Sequence, residues 1–192
     1  MSARLLLPVV LLVAAATAGA GVLAREAYQR PAAVQDDQVA EPGSGPSSSV
    51  PRGAQPGSGT VQLSADAAQH PDGRRVGEVL QRFFDAINDH DYEQWTRTVS
   101  ARRVDETPKS KWLWDYESSR DGSILVHRIE SVTEDRLRVL MTFTSTQDVA
   151  KAPADLQADC IRWRVVYPLQ VDRGALRVDL GTEGSASQFT AC

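Results

Sequence analysis

The stretch VLQRFFDAINDHDYEQW, residues 79–95, contains the strongest structural signal in the chain. Its apolar residues recur at helical spacing, which predicts a helix with one buried face. The polar run Asn-Asp-His-Asp at 88–91 interrupts this pattern with side chains that favour turns. A second helix is predicted to follow, from Tyr92 to Val99. The buried face of the first helix comprises Val76, Leu80, Phe83, Phe84 and Ile87.

The period of the apolar pattern changes after a third predicted helix, which runs from about Lys109 to Ser118. Four segments then have the alternation or the β-branched content of strands: residues 123–133, 137–147, 161–171 and 175–181. The two clearest rows are Ile161, Trp163, Val165, Tyr167 and Leu169, and Leu137, Val139, Met141 and Phe143. Helices followed by a meander of strands predict an α+β fold, with about three helices packed on a curved antiparallel sheet of four or more strands.

This order of elements resembles the nuclear transport factor 2-like superfamily, whose cone-shaped fold is shared by ketosteroid isomerase and scytalone dehydratase. Residues 79–95 carry the likeness: an apolar helix, a short acidic turn, and a second helix that opens on an aromatic residue. The resemblance implies a cone in which enzymes of the superfamily place carboxylate, His or Tyr side chains over an apolar pocket. The layout of the whole chain also resembles small membrane-anchored proteins of actinobacterial cell envelopes.

The amino-terminal part contains twenty consecutive uncharged residues, from Leu5 to Ala24. A helix of twenty apolar residues is about 30 Å long, enough to span the hydrocarbon core of a bilayer. The same residues also fit a secretory signal peptide, with small residues for cleavage at 14–20. We predict a single-pass membrane anchor with the rest of the chain extracytoplasmic; the alternative is a protein secreted after signal cleavage.

Composition predicts three regions: residues 1–30 as anchor or signal, 31–71 as a flexible linker, and 72–192 as the folded domain. The segment 41–60 is mostly Pro, Gly and Ser, which bury too little apolar surface to offset the entropy of ordering. Asp72 is the predicted cap of the first domain helix. The chain has 21 basic and 25 acidic residues, and a net charge of −4. Since the two signs are interspersed without a basic stripe, nucleic acid is not predicted as a partner.

Cys160 and Cys192 are the two cysteines of the chain. An even pair in a small extracytoplasmic domain predicts a disulfide, which would hold the polar carboxy-terminal tail beside the third strand. The number and spacing of the cysteines do not suit a zinc site. No phosphate-binding loop or dinucleotide fingerprint is present, so neither a metal nor a cofactor is predicted.

Candidate site residues follow from residue type and predicted placement. No catalytic motif of an enzyme branch matches, so no catalytic residue is assigned. His127, Asp85 and Tyr92 are the candidates whose side chains can act as bases or donors. An aromatic set is predicted either to line a pocket or to fill the core of the cone. It consists of Trp95, Trp112, Trp163 and Tyr167, while Trp114 lies out of phase and is predicted to be exposed.

The sequence is therefore compatible with two functions. The first is a membrane-tethered, non-enzymatic binding or scaffolding domain of the cell envelope, with an envelope protein or a second copy of the chain as partner. The alternative is an enzyme or binder of small molecules, of the isomerase, dehydratase or cyclase type, that uses the interior of the cone. An open pocket with a buried Asp or His favours the alternative, and a core filled by tryptophans favours the scaffold.

Overall fold

The long amphipathic helix around Phe83 and Phe84 is the element against which the sheet packs. The structure is a computed structural model that describes residues 50–179 and 187–192. The predicted anchor and the linker up to residue 49 lie outside these ranges. Within them, no helix is both long and apolar enough to cross a membrane. The described helices are α1 (Ala65–Gln69), α2 (Gly73–Asn88), α3 (Tyr92–Thr96), α4 (Ala101–Glu106) and α5 (Lys109–Tyr116).

The six strands within the described residues form one mixed sheet, in the order β1-β2-β3-β4-β5, and β6 pairs with the first half of β4. The pair β1–β2 is parallel, and the remaining pairs are antiparallel. Three register shifts in β2 indicate β-bulges, which bend and twist a strand and so account for the curvature of the sheet. The strands are β1 (Gln62–Leu63), β2 (Arg120–Thr133), β3 (Arg136–Thr146), β4 (Cys160–Asp172), β5 (Ala175–Val178) and β6 (Gln188–Ala191).

The predicted α+β class with helices on a curved sheet is confirmed. The apolar face of α2 is buried against the inward rows of β3 and β4. Burial of one phenylalanine side chain from this face contributes about 1.5–3 kcal/mol. Several details differ from the prediction: α3 ends at Thr96, a short helix α4 follows it, β5 ends at Val178, and the carboxy-terminal tail contains β6. Short helices of five or six residues leave too few periodic positions to be recognised.

The predicted linker and the structure differ in the stretch from 50 to 71. A 3-10 turn (Arg52–Ala54), β1 and α1 occupy this stretch, and β1 adds a parallel strand to β2. Asp72 precedes α2, but its carboxylate contacts Arg75 rather than a backbone N–H of the helix. The composition of this stretch concealed its role, because Val61, Leu63 and Ala67 are its few apolar side chains that pack in or against the core.

The backbone at Pro56 and Gly57 passes close to β2 at Gly122. A Cβ atom at Gly122 would lie 2.6 Å from the carbonyl oxygen of Gly57 and 2.8 Å from that of Pro56. Because both obstacles are backbone atoms, we expect Gly122→Ala to lower the free energy of unfolding by about 1–3 kcal/mol. The measurement is denaturant unfolding of the full chain in mild detergent, followed by circular dichroism. Gly59→Ala is the matched control, since its Cβ would make only ordinary contacts; equal midpoints for both variants would contradict the prediction.

Candidate functional site

A cavity of about 360 Å³ opens between the carboxy-terminal end of α5, the inner face of β3 and β4, and the loop between those two strands. Its aromatic walls come from Tyr116, Phe143, Trp163 and Tyr167. Its polar lining includes Asp121, Ser145, Gln147 and Lys151. A volume of this size is typical of sites for small organic molecules, which combine apolar walls with a few polar groups.

Asp121 is the buried carboxylate among the described residues that line this cavity, and the side chain of Asn88, at the end of α2, hydrogen-bonds its backbone. The Asn88 side chain accepts a hydrogen bond from the Asp121 N–H at 2.7 Å and donates one to the Asp121 carbonyl at 3.0 Å. Ser145 lies opposite Asp121 in the β2–β3 register, and its hydroxyl donates to the carboxylate at 2.5 Å. Asp121 is only 6% exposed. Burial raises the pKa of Asp121 to about 6, although the hydrogen bond from Ser145 acts in the opposite direction.

Two phenol groups complete the polar interior. Burial raises the pKa of both Tyr116 and Tyr167, and the positive charge of Arg103 partly offsets this rise in each case. The Arg103 guanidinium carbon lies 6.0 Å from the centre of the Tyr167 ring and 5.2 Å from that of Phe83. Both phenols therefore remain protonated at neutral pH, and a protonated phenol can donate a hydrogen bond to a ligand oxygen.

Lys151 and Trp114 meet at the rim of the cavity. The Lys151 ammonium lies 3.4 Å from the centre of the Trp114 ring and donates to the Trp114 carbonyl at 2.8 Å. It also lies 3.3 Å from the carboxylate of Glu117. The Lys151 side chain is only 10% exposed, whereas Trp114 is 62% exposed, as its position in the sequence predicted. These contacts connect the β3–β4 loop to α5 beside the entrance.

The three catalytic candidates from the sequence are not among the described residues that line the cavity. The His127 ring hydrogen-bonds the Thr142 hydroxyl at 2.8 Å, and burial followed by the charge of Arg164 lowers the pKa of His127. Asp85 accepts a hydrogen bond from a glutamine one turn earlier at 2.8 Å. The Tyr92 hydroxyl donates at 3.1 Å to a backbone carbonyl fifteen residues further along the chain.

The predicted aromatic set divides between the two roles that were left open. Trp95 and Trp112 are 1% and 0% exposed and belong to the core, where their ring centres lie 5.7 Å apart. Trp163 and Tyr167 line the cavity. The core is thus filled around Trp95 and Trp112 and open beside Asp121.

The sequence did not identify Asp121 and Ser145 as candidate site residues. Asp121 lies just before the start of the first predicted strand segment, residues 123–133, where an acidic residue is also typical of a turn. Its position opposite Ser145 depends on the bulges of β2. Tyr116 has a residue type suited to catalysis, but the sequence alone did not show that it faces the same space.

No protein-family model matches the chain, and no curated protein matches it. Two of the solved structures that are similar to it serve as examples. One is a delta 5-3-ketosteroid isomerase from Mycobacterium sp., with 14% identity and a TM-score of 0.37 over 60% of this chain and 98% of that one. The other is a computationally designed 17-OHP binder, with 13% identity and a TM-score of 0.35 over 58% of this chain and 95% of that one. Identities of 14% and 13% with TM-scores below 0.5 do not establish a superfamily, so the resemblance to the nuclear transport factor 2-like superfamily stays a prediction.

Proposed function

We propose that the cavity binds a small, flat organic molecule with a carbonyl group, and that Asp121 exchanges a proton with it. One observation carries this proposal: a buried carboxylate with a raised pKa lines an open, aromatic cavity that also contains two phenols. A buried Asp in an open pocket was the sequence-based criterion that favours the small-molecule function over the scaffold. The scaffold itself stays a prediction.

The chemistry follows from the protonation states. Above pH 6 the Asp121 carboxylate is mostly ionised, and its raised pKa makes it a stronger base than an ordinary aspartate. It would accept the proton from a carbon beside the carbonyl, while the electron pair of that C–H bond forms an enolate. The hydroxyls of Tyr116 and Tyr167 would donate hydrogen bonds to the enolate oxygen. The protonated Asp121 carboxyl exchanges its proton with solvent, and transfer of the solvent-derived proton to the carbon skeleton then re-forms the C–H bond as the carbonyl is restored.

The location of this activity belongs to the proposal as well. The apolar run of residues 5–24 supports a membrane tether, and the Cys160–Cys192 disulfide supports an oxidising compartment. Together they favour a domain held outside the cytoplasm. An envelope partner or a second copy of the chain would find exposed apolar surface at Leu113 and Trp114, which are 40% and 62% exposed.

The two-ring ketone 2-tetralone is a suitable probe because it is flat, apolar and a moderately strong carbon acid. We expect the full 192-residue chain, kept in mild detergent, to bind it saturably and to speed the exchange of its α-protons with deuterium in heavy water. Proton NMR measures both. Ser119 lines the cavity, so Ser119→Trp should reduce binding at least about tenfold by occupying ligand space.

Val132→Trp is the matched control, because Val132 is 54% exposed near the far end of β2. It should bind 2-tetralone as the unchanged chain does. Equal binding by the Ser119 variant would overturn the assignment of the cavity. Saturable binding without any accelerated exchange would overturn the proton transfer and support a binding protein instead.

A further inference from the structure

A second concavity, about 460 Å³ in volume, lies on the outer face of the sheet; we call it the outer groove. One cross-strand row runs along it through β1, β2, β3, β4 and β6: Gln62, Leu125, Thr142, Arg164 and Gln188. The next row contains Thr144, Arg162 and Thr190. Since side chains alternate along a strand, Arg162 and Arg164 face away from the inward side that carries Ile161 and Val165.

The two arginines give the outer groove a positive charge that no described carboxylate balances. No Asp or Glu is among its described lining residues. Within residues 50–179 and 187–192, no carboxylate forms an ion pair with Arg162 or Arg164. Other arginines of the same sheet are neutralised, as Arg128 is by a carboxylate at 3.3 Å and Arg138 by one at 3.9 Å. The outer groove thus differs from an ordinary charged surface, where opposite charges alternate.

The remaining lining suits an anion with an organic body. The side chains of Thr144, Thr190 and Gln188 can donate hydrogen bonds. Leu125 and Val50 also line the groove and supply apolar surface. A second copy of the chain would bring arginines against arginines on a two-fold axis, which disfavours self-association through this face.

We infer that the outer groove is a binding site for a phosphate monoester of a small organic alcohol. Two residues of one strand that share a face have Cα atoms roughly 7 Å apart, so both guanidinium groups can reach one phosphate. A phosphate offers three terminal oxygens and is close to a dianion at neutral pH, which matches two arginine forks better than a carboxylate does. This site is independent of the function proposed for the cavity.

Titration calorimetry of the full chain in detergent with phenyl phosphate tests the inference. We expect saturable binding, and a loss of about tenfold in affinity for each of Arg162→Gln and Arg164→Gln, because each removes a charge-assisted contact. Arg136→Gln is the matched control: it removes the same charge from the same outer face but lies outside the groove. Its affinity should equal that of the unchanged chain.

Several outcomes would overturn the inference. The first is an absence of saturable binding of phenyl phosphate. The second is a loss of affinity in Arg136→Gln equal to that in the two groove variants. The third is benzoate binding as tightly as phenyl phosphate. Arg164→Lys distinguishes a loss of binding from a loss of folding, since it keeps the charge but loses the planar guanidinium. It should bind phenyl phosphate more weakly than the unchanged chain and more tightly than Arg164→Gln. Phenyl phosphate should neither displace 2-tetralone nor lose affinity in Asp121→Asn, and competition between the two ligands would refute a separate site.

Discussion

Asp121→Asn is expected to abolish the exchange of 2-tetralone protons and, above pH 6, to make the folded chain more stable. The loss of exchange should be about 10²–10⁴-fold, the usual contribution of a general base, because an amide cannot accept the proton. Ligand binding should change little, since the side chain keeps its shape and Asn can still accept the hydrogen bond from Ser145.

The stability effect follows from the raised pKa of Asp121. Its value of about 6 in the folded chain compares with 3.8 for an ordinary aspartate, so the unfolded chain releases this proton more readily. Below about pH 4 both states hold the proton and Asp121 costs nothing. As the pH rises from 4 through 6, ionisation favours the unfolded state, and above 6 the full cost of about 3 kcal/mol applies. Asp121→Asn removes this dependence, for a gain of about 1–3 kcal/mol at pH 8 after allowing for the buried amide.

Denaturant unfolding at pH 4 and at pH 8, on the unchanged chain and the variant, measures this gain. Asp66→Asn is the control: Asp66 has an exposed carboxylate that contacts Arg128, so the same chemical change should leave stability at both pH values within about 1 kcal/mol. A variant that keeps its exchange activity would show that another group is the base. An unchanged pH dependence of unfolding would show that Asp121 does not titrate in this range.

Much of the fold could be predicted from the sequence, because the apolar residues of its long helix and of its two central strands recur periodically. The apolar residues of α2 repeat every three to four positions, and the inward rows of β3 and β4 alternate over seven and nine residues, so tertiary context had little to add. The pairing of Cys160 with Cys192 was likewise predictable, and the structure confirms it with Cα atoms 5.4 Å apart.

The site could not be predicted in the same way, because it depends on register. Thr133 pairs with Arg136 beside the turn, and a regular hairpin counted back from this pair would place Ile124 opposite Ser145. Three bulges shift the register by one residue each and bring Asp121 to that position. A shift of one residue exchanges the two faces of a strand, so the identity of the buried carboxylate depends on irregularities that have no sequence periodicity.

Replacing both cysteines by serine is expected to lower the free energy of unfolding by about 3–4 kcal/mol, the second large effect. The bridge joins residues separated by 32 positions, and closing a loop of this length restricts the unfolded chain by about that amount. The double replacement leaves no free thiol that could form intermolecular disulfides. Thermal or denaturant unfolding in matched buffers, with the unchanged chain as reference, gives the difference.

The same variant tests what holds β6 in place. The described strand spans four residues, and its only aromatic contact joins Phe189 to Trp163 at 5.1 Å, so its own pairing contributes little burial. We therefore expect the amides of β6 to lose protection from hydrogen exchange in the double-serine variant, while those of β3 keep theirs. Phe189→Ala with the bridge intact is the control, and its β6 amides should stay protected. Because β6 borders the outer groove, a protected β6 without the bridge would mean that strand pairing alone maintains that surface, and that the disulfide acts only through the unfolded chain.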